Sequence, residues 1–96
     1  MAGKAIAIIG SVDTGHAPFA PSVGVTGEEL FKVNGVPVMC TGDVMAPHKA
    51  PDKPPHTGTV VGGSLITING KKAAKVGDAV GCGSTLVTGD NKFKTT

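Results

Sequence analysis

The sequence predicts an all-β chain, a small body of three related β-hairpin units joined by long loops. Asn34-Gly35 and Asn69-Gly70 each sit between short apolar or β-branched runs. Asn-Gly so placed is among the strongest hairpin signals, because both central residues of the favoured turn need φ > 0. Fifteen Gly and seven Pro work against helices. The third observation is an internal repeat: Val33-Asn34-Gly35 through Gly42-Asp43 lines up with Ile68-Asn69-Gly70 through Gly77-Asp78 at a constant offset of 35 residues. Self-similarity at a fixed period marks a repeat architecture.

The repeat extends beyond its two full copies. Val25-Thr26-Gly27 matches Val60-Val61-Gly62, and Phe31 matches Ile66. Near the C-terminus Val87-Thr88-Gly89 matches Val60-Val61-Gly62 at an offset of 27, which sets Phe93 against Ile66. A degenerate third copy of the Gly-Asp turn is expected in Ile9-Gly10-Ser11-Val12-Asp13, completed by the C-terminal segment so that the chain ends meet. Each unit is too small to bury its own face, so the three must pack on one another as a pseudo-threefold body. A chain of 96 residues is expected to be one domain, 1–96.

Taken in order, residues 1–12 read as a strand with Ile6 and Ile8 turned inward, and residues 13–22 as a loop carrying His16. In residues 23–33, Thr26-x-x-Glu29 fits a helix capping box, but the alternation of Phe31 and Val33 into Asn34-Gly35 favours a strand. Residues 36–43 continue past the turn, and Pro37, lacking an N–H, belongs at an edge or a strand start. A Pro-rich loop, 44–58, holds His48 and His56. The stretch 64–82 repeats the hairpin and stops at Cys82.

Composition excludes several function classes. The chain buries only about 60–65% of its unfolded surface. With three Phe, no Trp and no Tyr, its core is thin and calls for a staple such as a disulfide, a metal or a partner. The net charge is +2, with nine scattered Lys and no Arg, which argues against nucleic-acid binding. No segment approaches the roughly 20 apolar residues of a membrane span, and the run Ala5–Ile9 is shorter than a signal-peptide core. Synthesis in the cytoplasm without a signal peptide is expected, where cysteines are seldom paired. Neither a phosphate loop nor a G-x-S-x-G elbow is present, so no enzyme, catalytic residue or small-molecule substrate is expected.

The residues that carry chemistry follow the turns. Asp13 is followed by His16, Asp43 by His48 and then His56, and Asp78 by Cys82. Three imidazoles and a thiolate form a closed four-coordinate set suited to tetrahedral Zn²⁺ with no open position for catalysis. Solvent-exposed histidines are the alternative, since no C-x-x-C or H-x-x-x-H spacing is present. The recurrence after matched turns favours the cluster. Cys40 aligns with Lys75 inside a strand and reads as a small buried residue, with a Cys40–Cys82 disulfide as the rival.

Gly15-His16, Val33-Asn34-Gly35, Gly42-Asp43 with His48, Pro55-His56, Gly63-Ser64, Ile68-Asn69-Gly70-Lys71 and Val76-Gly77-Asp78 with Cys82-Gly83 occur in this order. In this the whole chain resembles the PAAR-repeat proteins. It is similar in particular to the short spike-tip proteins of contractile phage tail baseplates and of type VI secretion systems. The naming motif is altered, to Lys72-Ala73-Ala74-Lys75 in one repeat and Pro37-Val38-Met39-Cys40 in the other. The resemblance implies a small cone of pseudo-threefold β-hairpins whose base caps a trimeric β-helical spike, one tip per trimer. It implies one structural zinc near the apex on His16, His48, His56 and Cys82, with iron as the other candidate ion. The implied role is to sharpen a spike for envelope puncture, at the tip of a virion or of a secretion spike, without stable membrane insertion. Effector domains occur in some members, and the chain reaches Thr96 with no room for one. A zinc-binding adaptor that recruits cargo without puncturing is the alternative role. Val25, Val60 and Val87 are candidate base positions. Phe31, Ile66 and Phe93 are read first as core.

Overall fold

The computed structural model describes residues 3–16, 19–50, 53–81 and 83–96. The strands are β1 (Lys4–Ile6), β2 (Glu28–Val33), β3 (Val36–Val38), β4 (His48–Ala50), β5 (Lys53–His56), β6 (Val60–Val61), β7 (Thr67–Ile68), β8 (Lys71–Lys72), β9 (Ala79–Val80) and β10 (Asp90–Thr95). They pair antiparallel as β1–β10, β2–β3, β4–β5, β6–β9 and β7–β8. No helix occurs among the described residues.

Asn34 and Gly35 have φ of 53° and 78°, and Asn69 and Gly70 have 55° and 79°. Both pairs are therefore left-handed, the turn whose twist matches the flanking strands. The capping box does not form. Thr26 instead donates its hydroxyl to Asp43 Oδ1 (2.8 Å) and accepts the Val44 N–H (2.9 Å). Pro37 lies in β3, an edge strand of a two-stranded sheet, as its missing donor requires.

The third hairpin is made by the two ends of the chain. β1 pairs with β10, Lys4 opposite Thr95 and Ala5 opposite Lys94, with an irregularity before Ile6. β10 repeats β2 residue for residue in its alternation of buried and exposed positions, so Phe93 takes the place of Phe31.

The three units close on one another through a triangle of backbone hydrogen bonds. Ala7 N–H donates to Ala74 C=O (2.9 Å), Ala74 N–H to Met39 C=O (2.8 Å), and Met39 N–H to Ala7 C=O (2.9 Å). A second cycle surrounds it, from Ile9 to Pro37, Thr41 to Lys72 and Val76 to Ala5. Just beyond, each strand bends at a turn: Ile8–Ser11, Cys40–Asp43 and Lys75–Asp78. The glycine at the third position has φ of 98°, 96° and 97° (Gly10, Gly42, Gly77), a conformation that suits Gly alone. The last residue of each turn uses its side chain to accept the N–H of the first: Ser11 from Ile8 (3.0 Å), Asp43 from Cys40 (2.7 Å) and Asp78 from Lys75 (2.8 Å). Ser11, not Asp13, therefore occupies the place of the two turn aspartates.

The core is a stack of threefold layers. Ala7, Met39 and Ala74 form one, all fully buried. Above it lie Gly24, Val60 and Leu86, whose N–H groups donate in turn to Ser11, Asp43 and Asp78 C=O (2.9 Å each). The volumes compensate between layers. A side chain on Gly24 would collide with Met39 Sδ, so the one large residue of the lower layer lies under the one missing side chain of the upper. This is how a small interior reaches close packing. The pairing also shifts one sequence match. Val60 is buried and equivalent to Gly24, whereas Val61 is the exposed counterpart of Val25 and Val87 (53%, 47% and 46% exposed). The second unit is one residue shorter between Val61 and Gly62, which a constant offset cannot register.

Below the triangle, Ile6, Val38 and Ala73 are buried, and Phe31, Ile66 and Phe93 pack against them. Phe31 and Phe93 meet edge to face at 5.2 Å, an arrangement worth about 0.5–1.5 kcal/mol beyond burial. The Phe31 set is thus core. Cys40 is a free thiol buried in the same cluster. Burial, aided by the Asp43 and Glu28 charges, pushes its pKa up to about 11, so it stays protonated at neutral pH. The rival disulfide does not form.

Candidate metal centre

Above the layers each unit opens into a loop, and all three loops are closed in the same way. Asp13 N–H donates to Ser22 C=O (3.0 Å), Met45 N–H to Gly58 C=O (3.0 Å) and Val80 N–H to Ser84 C=O (2.9 Å). The enclosed segments are 14–21, 46–57 and 81–83. They contain His16, then His48 and His56, then Cys82.

The second loop folds back on itself as β4 and β5, which sets His48 directly opposite His56. The first loop turns at its tip, where His16 and Phe19 exchange a pair of backbone hydrogen bonds. The two loops are tied together at their roots, where Ser22 Oγ donates to Ala46 C=O. His16 and His48 each lie five residues beyond their turn-closing residue, Ser11 and Asp43, so matched stems deliver them to one place.

There the three imidazoles converge. His56 Nε2 lies 2.8 Å from His48 Nε2 and 3.0 Å from His16 Nε2, and one ligand nitrogen from each of the three falls within 4.8 Å of the others. His48 Nδ1 donates to Ala20 C=O (2.6 Å). That bond fixes the tautomer: the ring proton is on Nδ1, and Nε2 presents a bare lone pair to the cluster. Metal-ligating histidines are oriented in this way by a second hydrogen bond. Partial desolvation, then the neighbouring His48 and His16, hold the His56 pKa below the ordinary imidazole value, which keeps it neutral. Three facing nitrogens cannot all be satisfied by hydrogen bonds among themselves, and a cation satisfies all three. Tetrahedral Zn²⁺ with Zn–N of 2.0–2.1 Å needs nitrogens about 3.4 Å apart, so the His48–His56 and His16–His56 pairs, at 2.8 and 3.0 Å, would open by roughly half an ångström around the ion. The donor set fits a metal ion.

Phe19 had no assigned role in the sequence. Its ring packs edge-on against His56 at 4.0 Å and lies 5.1 Å from His16 and 5.2 Å from His48. It packs beside all three imidazoles. The only available signal was that it is the one aromatic residue outside the hairpins. The third loop also reaches the site. Gly83, at φ 110°, lies so that a Cβ there would be 3.9 Å from the His16 ring. Cys82, the fourth expected ligand, lies outside the described residues.

A family model described as PAAR motif matches residues 14–88, a span that includes all three loops. No curated protein matches the chain.

Proposed function

Since the chain belongs to the PAAR-motif family, structural proteins associated with the spike tips of contractile phage tails and type VI secretion systems, we propose that it caps the end of a trimeric β-helical spike. One chain would sit on one trimer and sharpen it for passage through an envelope. The closed triangle of hydrogen bonds between Ala7, Met39 and Ala74 carries this reading. It gives a single chain three near-equivalent faces, which is what one monomer needs to meet three identical chains.

A structural zinc ion on His16, His48, His56 and Cys82 completes the proposal. When bound, the ion would cross-link the three loops. The histidines supply three neutral nitrogens, and the approach of Gly83 to His16 supports a fourth ligand from the neighbouring residue. Structural zinc sites contribute on the order of 10–16 kcal/mol of apparent binding energy at neutral pH, more than enough to offset a core without a fully buried aromatic ring.

Two measurements test the proposal. Elemental analysis of the purified protein should find one zinc per chain, and iron instead would correct the identity of the ion. Co-purification with a trimeric β-helical spike fragment should give one chain per three spike chains. Failure to bind such a spike by a metal-loaded, folded protein would overturn the capping role in favour of an adaptor.

A further inference from the structure

We propose that Asp13 is a positioning residue for the metal centre, holding the His16 loop with one carboxylate oxygen and answering the bound cation with the charge of the whole group. This rests on the metal reading above.

Asp13 is 1% exposed and sits in the layer directly beneath the loops. The matched positions in the other two units are Met45 and Val80, both buried and apolar. Packing alone would therefore take a hydrophobic side chain here. One oxygen has a clear use: Oδ1 accepts the N–H of Gly15 (2.9 Å), the residue before His16, and the N–H of Ser22 (2.8 Å), at the far end of the same loop. Asparagine would accept both bonds equally well through its carbonyl oxygen.

The second oxygen is what loop anchoring leaves unexplained. Oδ2 is buried and has no partner among the described residues. A buried ionised carboxylate with an unsatisfied oxygen is strongly unfavourable. A divalent cation bound three residues further along the chain supplies the missing opposite charge without displacing either backbone bond. Three neutral imidazoles leave the ion's charge for a thiolate and a second anion to balance, and Asp13 is that anion. The carboxylate thus favours the loaded state over the empty one.

The decisive variant is Asp13→Asn, which keeps the two accepted bonds and removes the charge. Zinc affinity is measured by competition with a chelator, and thermal midpoints are recorded for the metal-free and loaded forms. The expected result is about tenfold weaker zinc binding, the lower end for loss of an outer-shell partner. The metal-free midpoint should be unchanged or raised. Unchanged affinity would overturn the proposal, and so would an equal loss of stability in both forms with affinity intact, which is the signature of a purely structural role. If Asp13→Asn does not fold without metal, Asp13→Val, which copies Val80, takes its place, with weakened zinc binding again expected. Failure of both variants to fold in excess zinc would also overturn it. Wild-type protein that takes up no zinc would remove the metal reading itself, whereas a loaded wild type with an unaffected variant removes this inference alone.

Discussion

The hairpin body and the loops above it are built on the same three stems, yet they treat symmetry differently. In the body the central backbone bonds each have two counterparts: the inner triangle, the outer cycle and the capped turns are each met three times with nearly equal lengths. In the loops equivalence stops at the closing bonds. The segments are 14–21, 46–57 and 81–83, and they deliver one histidine, two histidines and the position of one cysteine. The body closes three like strands on one another through backbone bonds, so its backbone is constrained and its side chains are free to trade volume, as Met39 does with Gly24. The apex must converge on a single point, so its ligand atoms are constrained and its backbone is free to differ.

This contrast can be broken at either end. The largest effect is expected in the loops. His48→Ala removes one nitrogen of the cluster and the bond to Ala20, and it should abolish stoichiometric metal and lower the thermal midpoint by tens of degrees, checked by elemental analysis and calorimetry. Next comes the body. Met39→Ala should cost about 2–5 kcal/mol, and Gly24→Val about 1–3 kcal/mol by overpacking against Met39. The double variant copies the Val60 and Ala74 arrangement and should be more stable than the sum of the two losses predicts. Denaturant titration of all three checks this: simple additivity, with no coupling, would show that the layers do not exchange volume.

Smaller effects sharpen the comparison. Cys40→Ala should leave metal content unchanged and cost about 1 kcal/mol, since it removes one buried sulfur from a layer with no ligand role. Acid should act on the apex first. The folded pKa of His56 is lowered, so the unfolded chain binds protons more readily. The contribution is neutral above the ordinary imidazole range near pH 6.5, and stability falls as pH drops below it. Metal loss follows the same direction, because protonated imidazoles cannot ligate. Metal content and thermal midpoints measured between pH 7.5 and about pH 5 should decline together, while chelated protein should show only the shallower His56 dependence.

Most of the body was legible because its signals are local. Asn34-Gly35 and Asn69-Gly70 announce their own turns, and the constant offset between them exposes the repeat. The pairing of the chain ends was legible because the third copy is split, its turn near the N-terminus and its entry strand near the C-terminus. Two details were hidden for physical reasons. Ser11 does through a hydroxyl what Asp43 and Asp78 do through a carboxylate, so the degenerate copy was anchored on the wrong residue. The missing residue between Val61 and Gly62 moves one valine from the surface to the core without altering the pattern around it. In the site, the three histidines were legible as matched positions. Phe19 was not, because its function lies in contacts with three residues from two loops. Asp13 stood out in the sequence as a turn residue, but its burial among apolar counterparts is visible only once the layers are stacked.

The pairing of β1 with β10 also sets an order of events during folding. Lys4 waits for Thr95, Ala5 for Lys94, and Val12 for the Thr88 hydroxyl. The first two units can close on contacts near in sequence, but the inner triangle needs Ala7 held in place, and β1 lacks its strand partner until β10 pairs with it. Contacts this distant in sequence are slow to form, and until then an unpaired strand and the apolar faces of Phe31 and Ile66 are open to neighbouring chains. Closure of the ring through β1 and β10 is therefore the last step of folding.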